Sequence, residues 1–291
     1  MTAPTLELVQ SYYDERVEGK LRDFTGANPR IEAAIQVLAE WAPLKPSRIL
    51  EIGCGIGATS WRMARAWPQA EVVGVDVSPI SIEVATTCFR RPNLRYWAGL
   101  VKEGVLAGRF DLVVLMDTYE HIALGDRAAL HGAIRSILSE EARLVLTFPT
   151  PALQNYGRTK APTEQQPVDE DITLPDILRL AEGTGTNLVY YREVGIWHYG
   201  DYAHAVLGRY QPLTQVALRE YRASGLMALK KLLRGLFRSD QPTRYLDYLG
   251  SDVLRPSARN ITDRFKVRAA ERERVVSAWF RRSRIRDGSQ R

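Results

Sequence analysis

Residues 117–121 read Asp-Thr-Tyr-Glu-His. Two carboxyl groups and an imidazole within five positions are side chains suited to accepting and handing on protons near neutral pH. His121 is the natural base of the set, with Glu120 to orient it or a substrate; the plainer alternative is that His121 caps the next helix or fixes a loop. A second stretch, RILEIGCGIGATS at residues 48–60, places Gly53, Gly55 and Gly57 directly behind an apolar run that carries Glu51. Three glycines in five positions cost conformational entropy. They imply a tight turn, or something approaching the backbone more closely than a β-carbon allows. Nineteen residues past Gly57, Asp76 ends the next apolar run, in VVGVDVS. In doubly wound sheets an acidic residue there hydrogen-bonds both hydroxyls of a ribose, so the pair of features specifies a nucleoside-bearing cofactor.

Elements must hold these groups in place. Helical spacing of apolar residues predicts helices over 5–19 and 29–41, the second ended by Pro43 and Pro46. Short apolar runs suited to strands buried on both faces follow at 48–52, 71–75, 111–116 and 143–148, with a weaker one at 93–97. Helices are expected between them, at about 57–67, 79–89 and 126–138. This alternation builds a parallel sheet with helices on both faces. Next comes a proline-rich stretch, 149–171, read as one long loop and as the candidate substrate cover, together with the N-terminal helices around Tyr12 and Tyr13. A helix over about 172–182, capped by Asp171 and closed near Gly183, precedes two strands flanking His198-Tyr199-Gly200, a β-hairpin. His198, His204, Tyr199 and Tyr202 make a polar-aromatic cluster whose plainer reading is surface or sheet-face positions.

The chain has 291 residues, a formal net charge of +6 and two cysteines. Cys54 and Cys88 have neither disulfide-framework nor metal spacing and are expected to be reduced. The N-terminal stretch lacks the pattern of a signal peptide, and no apolar run is long enough to span a bilayer, so the expected location is cytoplasmic. Charge is uneven. Residues 1–208 carry 20 Lys and Arg against 26 Asp and Glu, whereas 209–291 carry 20 against 8. An acidic first part argues against nucleic acid as a partner there, while the basic tail suits an anionic surface. Within that tail, 226–238 (LMALKKLLRGLFR) is strongly amphipathic. It is expected to pack on this protein or a second subunit, a homo-oligomer, with peripheral membrane contact as the alternative.

The spacing G-x-G-x-G differs by one residue from the dinucleotide fingerprint, and no Walker lysine follows. The string ILEIGCGIG, Asp76 in VVGVDVS, the run FDLVVLMDTYEHI and the terminal hairpin resemble, in this order, the class I S-adenosylmethionine-dependent methyltransferases. The resemblance covers about residues 46–208. It implies an α/β, doubly wound, Rossmann-like seven-stranded mostly parallel sheet with an antiparallel terminal hairpin, N-terminal helices (1–45) and a helical C-terminal extension (209–291). It also implies S-adenosylmethionine as cofactor. Gly53, Cys54, Gly55 and Gly57 form its loop, with Glu51 helping to hold it. Asp76 lies at the ribose, Val77 beside the adenine, and Asp117 near the methionyl amine. The family often places an aspartate after the third strand; here the sequence reads YWAGLV, and the backbone of Ala98, Gly99 and Leu100 or the ring of Trp97 stands in for it.

DTYEH also resembles the E-x-x-E-H element that holds a divalent cation in ubiquinone-biosynthesis and small-RNA methyltransferases. Carried over, Asp117, Glu120 and His121 would ligate an ion such as magnesium, but aspartate in the first place shortens the reach, and the metal-free reading is preferred. The expected activity is O-methylation of a small-molecule or saccharide hydroxyl. The alternatives are N-methylation of a small metabolite, or RNA methylation using the basic tail, which lacks a recognisable RNA module.

Overall fold

The computed structural model describes residues 4–162, 165–209 and 264–288. Seven strands form one sheet: β1 Arg48–Ile52, β2 Glu71–Asp76, β3 Leu94–Ala98, β4 Phe110–Met116, β5 Leu138–Pro149, β6 Asn187–Val194 and β7 Tyr202–Gly208. Their order is β3-β2-β1-β4-β5-β7-β6. The first five run parallel, and β7 is antiparallel to both β5 and β6, with Val145 opposite Val206. The expected fold class and hairpin are therefore present.

Strand periodicity divides the interior in two. Along β4 from Leu112 on, Leu112, Val114 and Met116 enter one core, while Val113 and Leu115 enter the other. Successive side chains leave a strand on opposite faces, so a run with no polar residue needs a covered sheet on both sides. The first core is closed by α2 Val17–Gly26, α3 Pro29–Trp41, α4 Ala58–Ala66 and α5 Pro79–Cys88, after α1 Leu6–Asp14; the second by α6 Leu124–Ile137 and, beyond α7 Pro151–Lys160, by α8 Leu174–Thr184. A C-terminal helix, α9 Ala269–Gly288, follows Phe265, and Phe265 and Val276 are buried in the first core.

Chain order reverses across the sheet between β1 and β4. Open α/β sheets bind ligands at the carboxyl ends of the strands beside such a switch point. Here that edge receives the glycine turn after β1 and the Asp117–His121 stretch after β4.

Several elements differ from expectation. The first helix is two, α1 and α2, separated at Glu15–Arg16; the series Val9, Tyr13, Val17 keeps helical spacing across the break, so periodicity does not register it. Residues 149–171 are not one loop. Thr150 accepts from Leu153 N–H, Pro151 takes the first helical position, and α7 runs to Lys160 with only Gln154 buried, which leaves no apolar stripe to read. Helix α8 starts after Thr173, whose N–H donates to Asp176 (2.8 Å), and ends on left-handed Gly185. Gly183 lies within α8, because a β-carbon there would stand 2.7 Å from His131 on α6. The amphipathic segment 226–238 and most of the basic tail lie outside the described residues. Among the described residues no helix is long and apolar enough to cross a membrane.

Candidate active site

Above the switch point lies a cleft of about 930 Å³. Its floor is the glycine turn. Gly53 and Cys54 N–H both donate to Val75 O (2.8 and 3.0 Å), tying the turn to the end of β2. Asp76 completes the tie: one carboxylate oxygen accepts from Gly55 N–H (2.7 Å) and the other from Ser78 N–H (2.9 Å). Glu51, Gly53, Cys54, Gly55, Asp76, Val77, Gly99, Leu100 and Asp117 all line the cleft.

The glycines are crowded by the protein itself. A β-carbon on Gly53 would stand 2.3 Å from Thr118 Oγ1, and one on Gly57 2.5 Å from the Tyr96 hydroxyl, at φ +74° and +83°. Gly57 thus does not line the cleft; it gives Tyr96 room and starts α4 in a left-handed conformation. At Gly55 the neighbour is Lys20, whose Nζ would lie 3.3 Å from an added β-carbon. Trp97 is not a lining residue either. Its ring folds against Gly99, and the cleft wall continues through Gly99, Leu100 and Val101.

Beneath the turn, Glu51 hydrogen-bonds the Ser60 hydroxyl. Burial pushes its carboxyl up to about 8, only partly offset by Ser60. The Cys54 thiol is raised well above its ordinary value by burial as well, and is therefore an inert thiol.

At the other end, Asp117 is left-handed (φ +49°), accepts from Thr147 Oγ1 (3.2 Å) and pairs with Arg30. Arg30 is the second residue of α3, after the Asn28 cap and Pro29. Burial works against its charge, but Asp117, Tyr202 and Glu120 together outweigh that and hold the guanidinium protonated. Two positions on, Glu32 is gripped by Arg62 (2.7 Å) and Arg272 (2.8 Å), and Arg272 also donates to Phe24 O (2.7 Å). Burial would raise the Glu32 carboxyl, yet the two arginines hold it below the usual range. This network fixes the start of α3 and with it the aim of Arg30.

His121 closes a single 3-10 turn, Tyr119–His121. Its Nδ1 lies 2.8 Å from Val168 O, so Nδ1 carries the proton and Nε2 is the open lone pair. Burial lowers the imidazole's pKa by more than the Val168 bond restores, which keeps the ring neutral at neutral pH. Glu120, expected to orient the ring, stands 3.6 Å from Nε2, beyond hydrogen-bond distance. Val168 does the orienting, with Tyr13 edge-on 6.2 Å away between ring centres. Burial, with Asp117 nearby, raises the Glu120 carboxyl well above its ordinary range.

The metal reading does not fit. Among the described residues no three His, Cys, Asp or Glu side chains are grouped to hold an ion. Asp117 already faces a guanidinium, which repels a cation from its carboxylate. Of the hairpin cluster, Tyr202 lines a cavity beside the cleft, His204 is buried in β7, Tyr199 is exposed, and His198 packs on Tyr156. Tyr12 and Tyr13 line the cleft as expected. Arg30, Lys20 and Val168 were not singled out in the sequence. Arg30 did leave a signal, since a cation in the first turn of a helix opposes the helix dipole and needs a partner elsewhere.

Comparison with known proteins gives a matching context. A family model described as "Methyltransferase domain" matches residues 24–223. Trans-aconitate 2-methyltransferase of Pseudomonas aeruginosa is 37% identical over 76 residues, 24% of this chain and 28% of that protein. Ubiquinone biosynthesis O-methyltransferase of Azorhizobium caulinodans is 43% identical over 84 residues, 28% of this chain and 32% of that protein. The chain thus matches about a third or less of the length of these relatives. Magnesium protoporphyrin IX methyltransferase of Synechocystis, solved with SAH bound, shares the fold at TM-score 0.56 and 17% identity, covering 70% of this chain and 99% of that one. A TehB-like methyltransferase of Corynebacterium glutamicum aligns at TM-score 0.50 and 20% identity, over 69% of this chain and all of that one.

Proposed function

The chain belongs to the class I S-adenosylmethionine-dependent methyltransferases, and from that premise we propose that it methylates a hydroxyl oxygen of a small-molecule acceptor, with His121 taking the hydroxyl proton. The observation that carries the reading is the state of His121: half-buried, neutral, oriented through Nδ1 by Val168, and set in the wall of the cofactor cleft. An alcohol holds its proton tightly, so a positioned base is worth about 10²–10⁴-fold. An imidazole that stays neutral below its ordinary titration range fits that task. The names of two relatives, ubiquinone biosynthesis O-methyltransferase and malonyl-[acyl-carrier protein] O-methyltransferase, agree with transfer to oxygen.

S-adenosylmethionine, when bound, supplies a methyl group already activated on a sulfonium, so the protein's part is alignment, proton removal and exclusion of water. Asp76 keeps lone pairs beyond those used by Gly55 and Ser78 and would accept from the ribose hydroxyls. Val77, Gly99 and Leu100 would flank the base. Gly53, Cys54 and Gly55 would pass under the methionine part, with Glu51 below them, Arg30 and Lys20 facing its carboxylate and Asp117 its amine. His121 Nε2 would take the acceptor hydroxyl's proton as the methyl–sulfur bond of the sulfonium gives way to the methyl–oxygen bond and the electron pair stays on sulfur, and the Val168 carbonyl would stabilise the resulting imidazolium through Nδ1–H.

The test is a His121→Gln variant. Glutamine approximates the size of the ring but not its basicity. We expect kcat/KM to fall by about 10²–10⁴-fold while S-adenosylhomocysteine affinity, measured by calorimetry, stays at the wild-type value. Undiminished turnover would remove His121 from the role of base.

A further inference from the structure

A second chamber, about 240 Å³, lies beside the cleft. Arg30, His121 and Gln166 line both cavities, so the imidazole stands where the two meet. We propose that this chamber is the acceptor site and that it takes a neutral, ring-shaped polyol, a saccharide ring or cyclitol, with one hydroxyl presented to His121. The inference rests on the hydroxyl-methylation reading and extends it to the body of the substrate.

The lining of the chamber is mixed in character. Part is apolar: Pro149, Leu153, Gly157 and Ala161, contributed by the end of β5 and by α7 and its end. The rest is polar: Glu120, Asp169, Gln154, Gln165 and Gln166, with Arg30 and Tyr202. Glu120 is 1% exposed, and its Oε2 has no hydrogen-bond partner; Arg30 Nε has none either. A buried acceptor and a buried donor left unpaired beside one cavity are costly unless a ligand completes them. Gln166 accepts from the Tyr13 hydroxyl (3.0 Å), which leaves its amide N–H groups to offer, and Gln154 donates to Asp169 (2.7 Å), which leaves its carbonyl.

That mixture selects among ligands. An anion would face the Asp169 carboxylate. An ammonium is a donor only and would leave Arg30 Nε and the Gln166 amide facing a positive charge. A hydroxyl both donates and accepts, and a cyclic polyol adds a C–H face to lie against the apolar residues of the lining. The volume suits one such ring, being roughly eight times the 30 Å³ share of a water molecule.

The chamber can be filled without removing a hydrogen bond. A β-carbon on Gly157, a helical position with no positive φ, would meet only Gln165 Nε2, at an ordinary 3.7 Å. A Gly157→Leu side chain would grow into the chamber, and replacing glycine inside a helix favours the helix. The experiment uses the full chain, methyl-labelled S-adenosylmethionine and a panel of hexopyranosides and inositols, beside amines and carboxylates of similar size. The expected result is base-stable methyl ethers on a cyclic polyol, with Gly157→Leu raising KM for it about tenfold or more at unchanged S-adenosylhomocysteine affinity. Ala161→Met, one turn further on, should do the same if Gly157→Leu does not accumulate. If a hydroxyl is methylated but neither variant moves KM, the chamber is not the acceptor site and the hydroxyl reading stands. Label confined to amines or carboxylates would overturn the hydroxyl reading and the chamber assignment with it.

Discussion

The two ends of the cleft are built differently. Its floor is backbone: the turn after β1 hangs from Val75 and Asp76 at the end of the next strand. Its far wall is side chains: Arg30 from α3, His121 after β4, Val168 from the segment behind α7 and Tyr13 from α1 meet there from distant parts of the chain. A backbone floor holds a cofactor in a fixed place with little dependence on side-chain identity. A wall of side chains from separate elements can be altered piece by piece. Changes to the floor should therefore cost binding or folding, and a change to His121 in the wall should cost turnover alone.

The sharpest break falls on Asp76, whose carboxylate ties the glycine turn to the start of the next helix. Asp76→Ala removes both backbone ties and the ribose acceptors. At about 1.5–3 kcal/mol for each hydrogen bond to a charged group, calorimetry should show S-adenosylhomocysteine affinity reduced by about 100-fold or more. Gly57→Ala comes next and should act on stability. It forces a β-carbon onto left-handed backbone and into the Tyr96 hydroxyl, a combined cost of about 3 kcal/mol, read from the urea midpoint. The last effect is the most gradual and concerns pH. Because the Glu51 carboxyl is raised to about 8 in the fold, the unfolded chain releases that proton first. Stability from this group is complete in acid and is lost as pH rises from about 4.5 towards 8. Glu51→Gln should remove a slope of up to about 1.4 kcal/mol per pH unit from urea-melt stabilities compared across that window.

The same contrast explains what could be read from the sequence. Glu51, the glycines and Asp76 are legible because one β-α-β unit carries them all and the turn chemistry is local. Asp117 to His121 are legible as residue types, at the strand end where ligands bind. Roles that depend on partners are not: Val168 orients His121 across 47 residues, and nothing near His121 announces it. Gly57 was expected at the cofactor, but its neighbour is Tyr96, a packing relation that only folded β3 reveals. Helix α7 lay hidden because its prolines suggested a loop, although Thr150-Pro151 is a helix start and only Gln154 is buried. The start of α3 is fixed by Arg62 and Arg272, and no spacing rule connects Glu32 to a residue 240 positions away.

The central claim is that methyl transfer here depends on one neutral, half-buried imidazole. It is tested most directly by the pH dependence of single-turnover methyl transfer at saturating cofactor, in the wild type and in His121→Gln. Since burial lowers the His121 pKa, wild-type rates should be level at neutral pH and fall only below the ordinary histidine range of about 6.5, and this acid limb should vanish in the variant. An identical limb in both proteins would contradict the account.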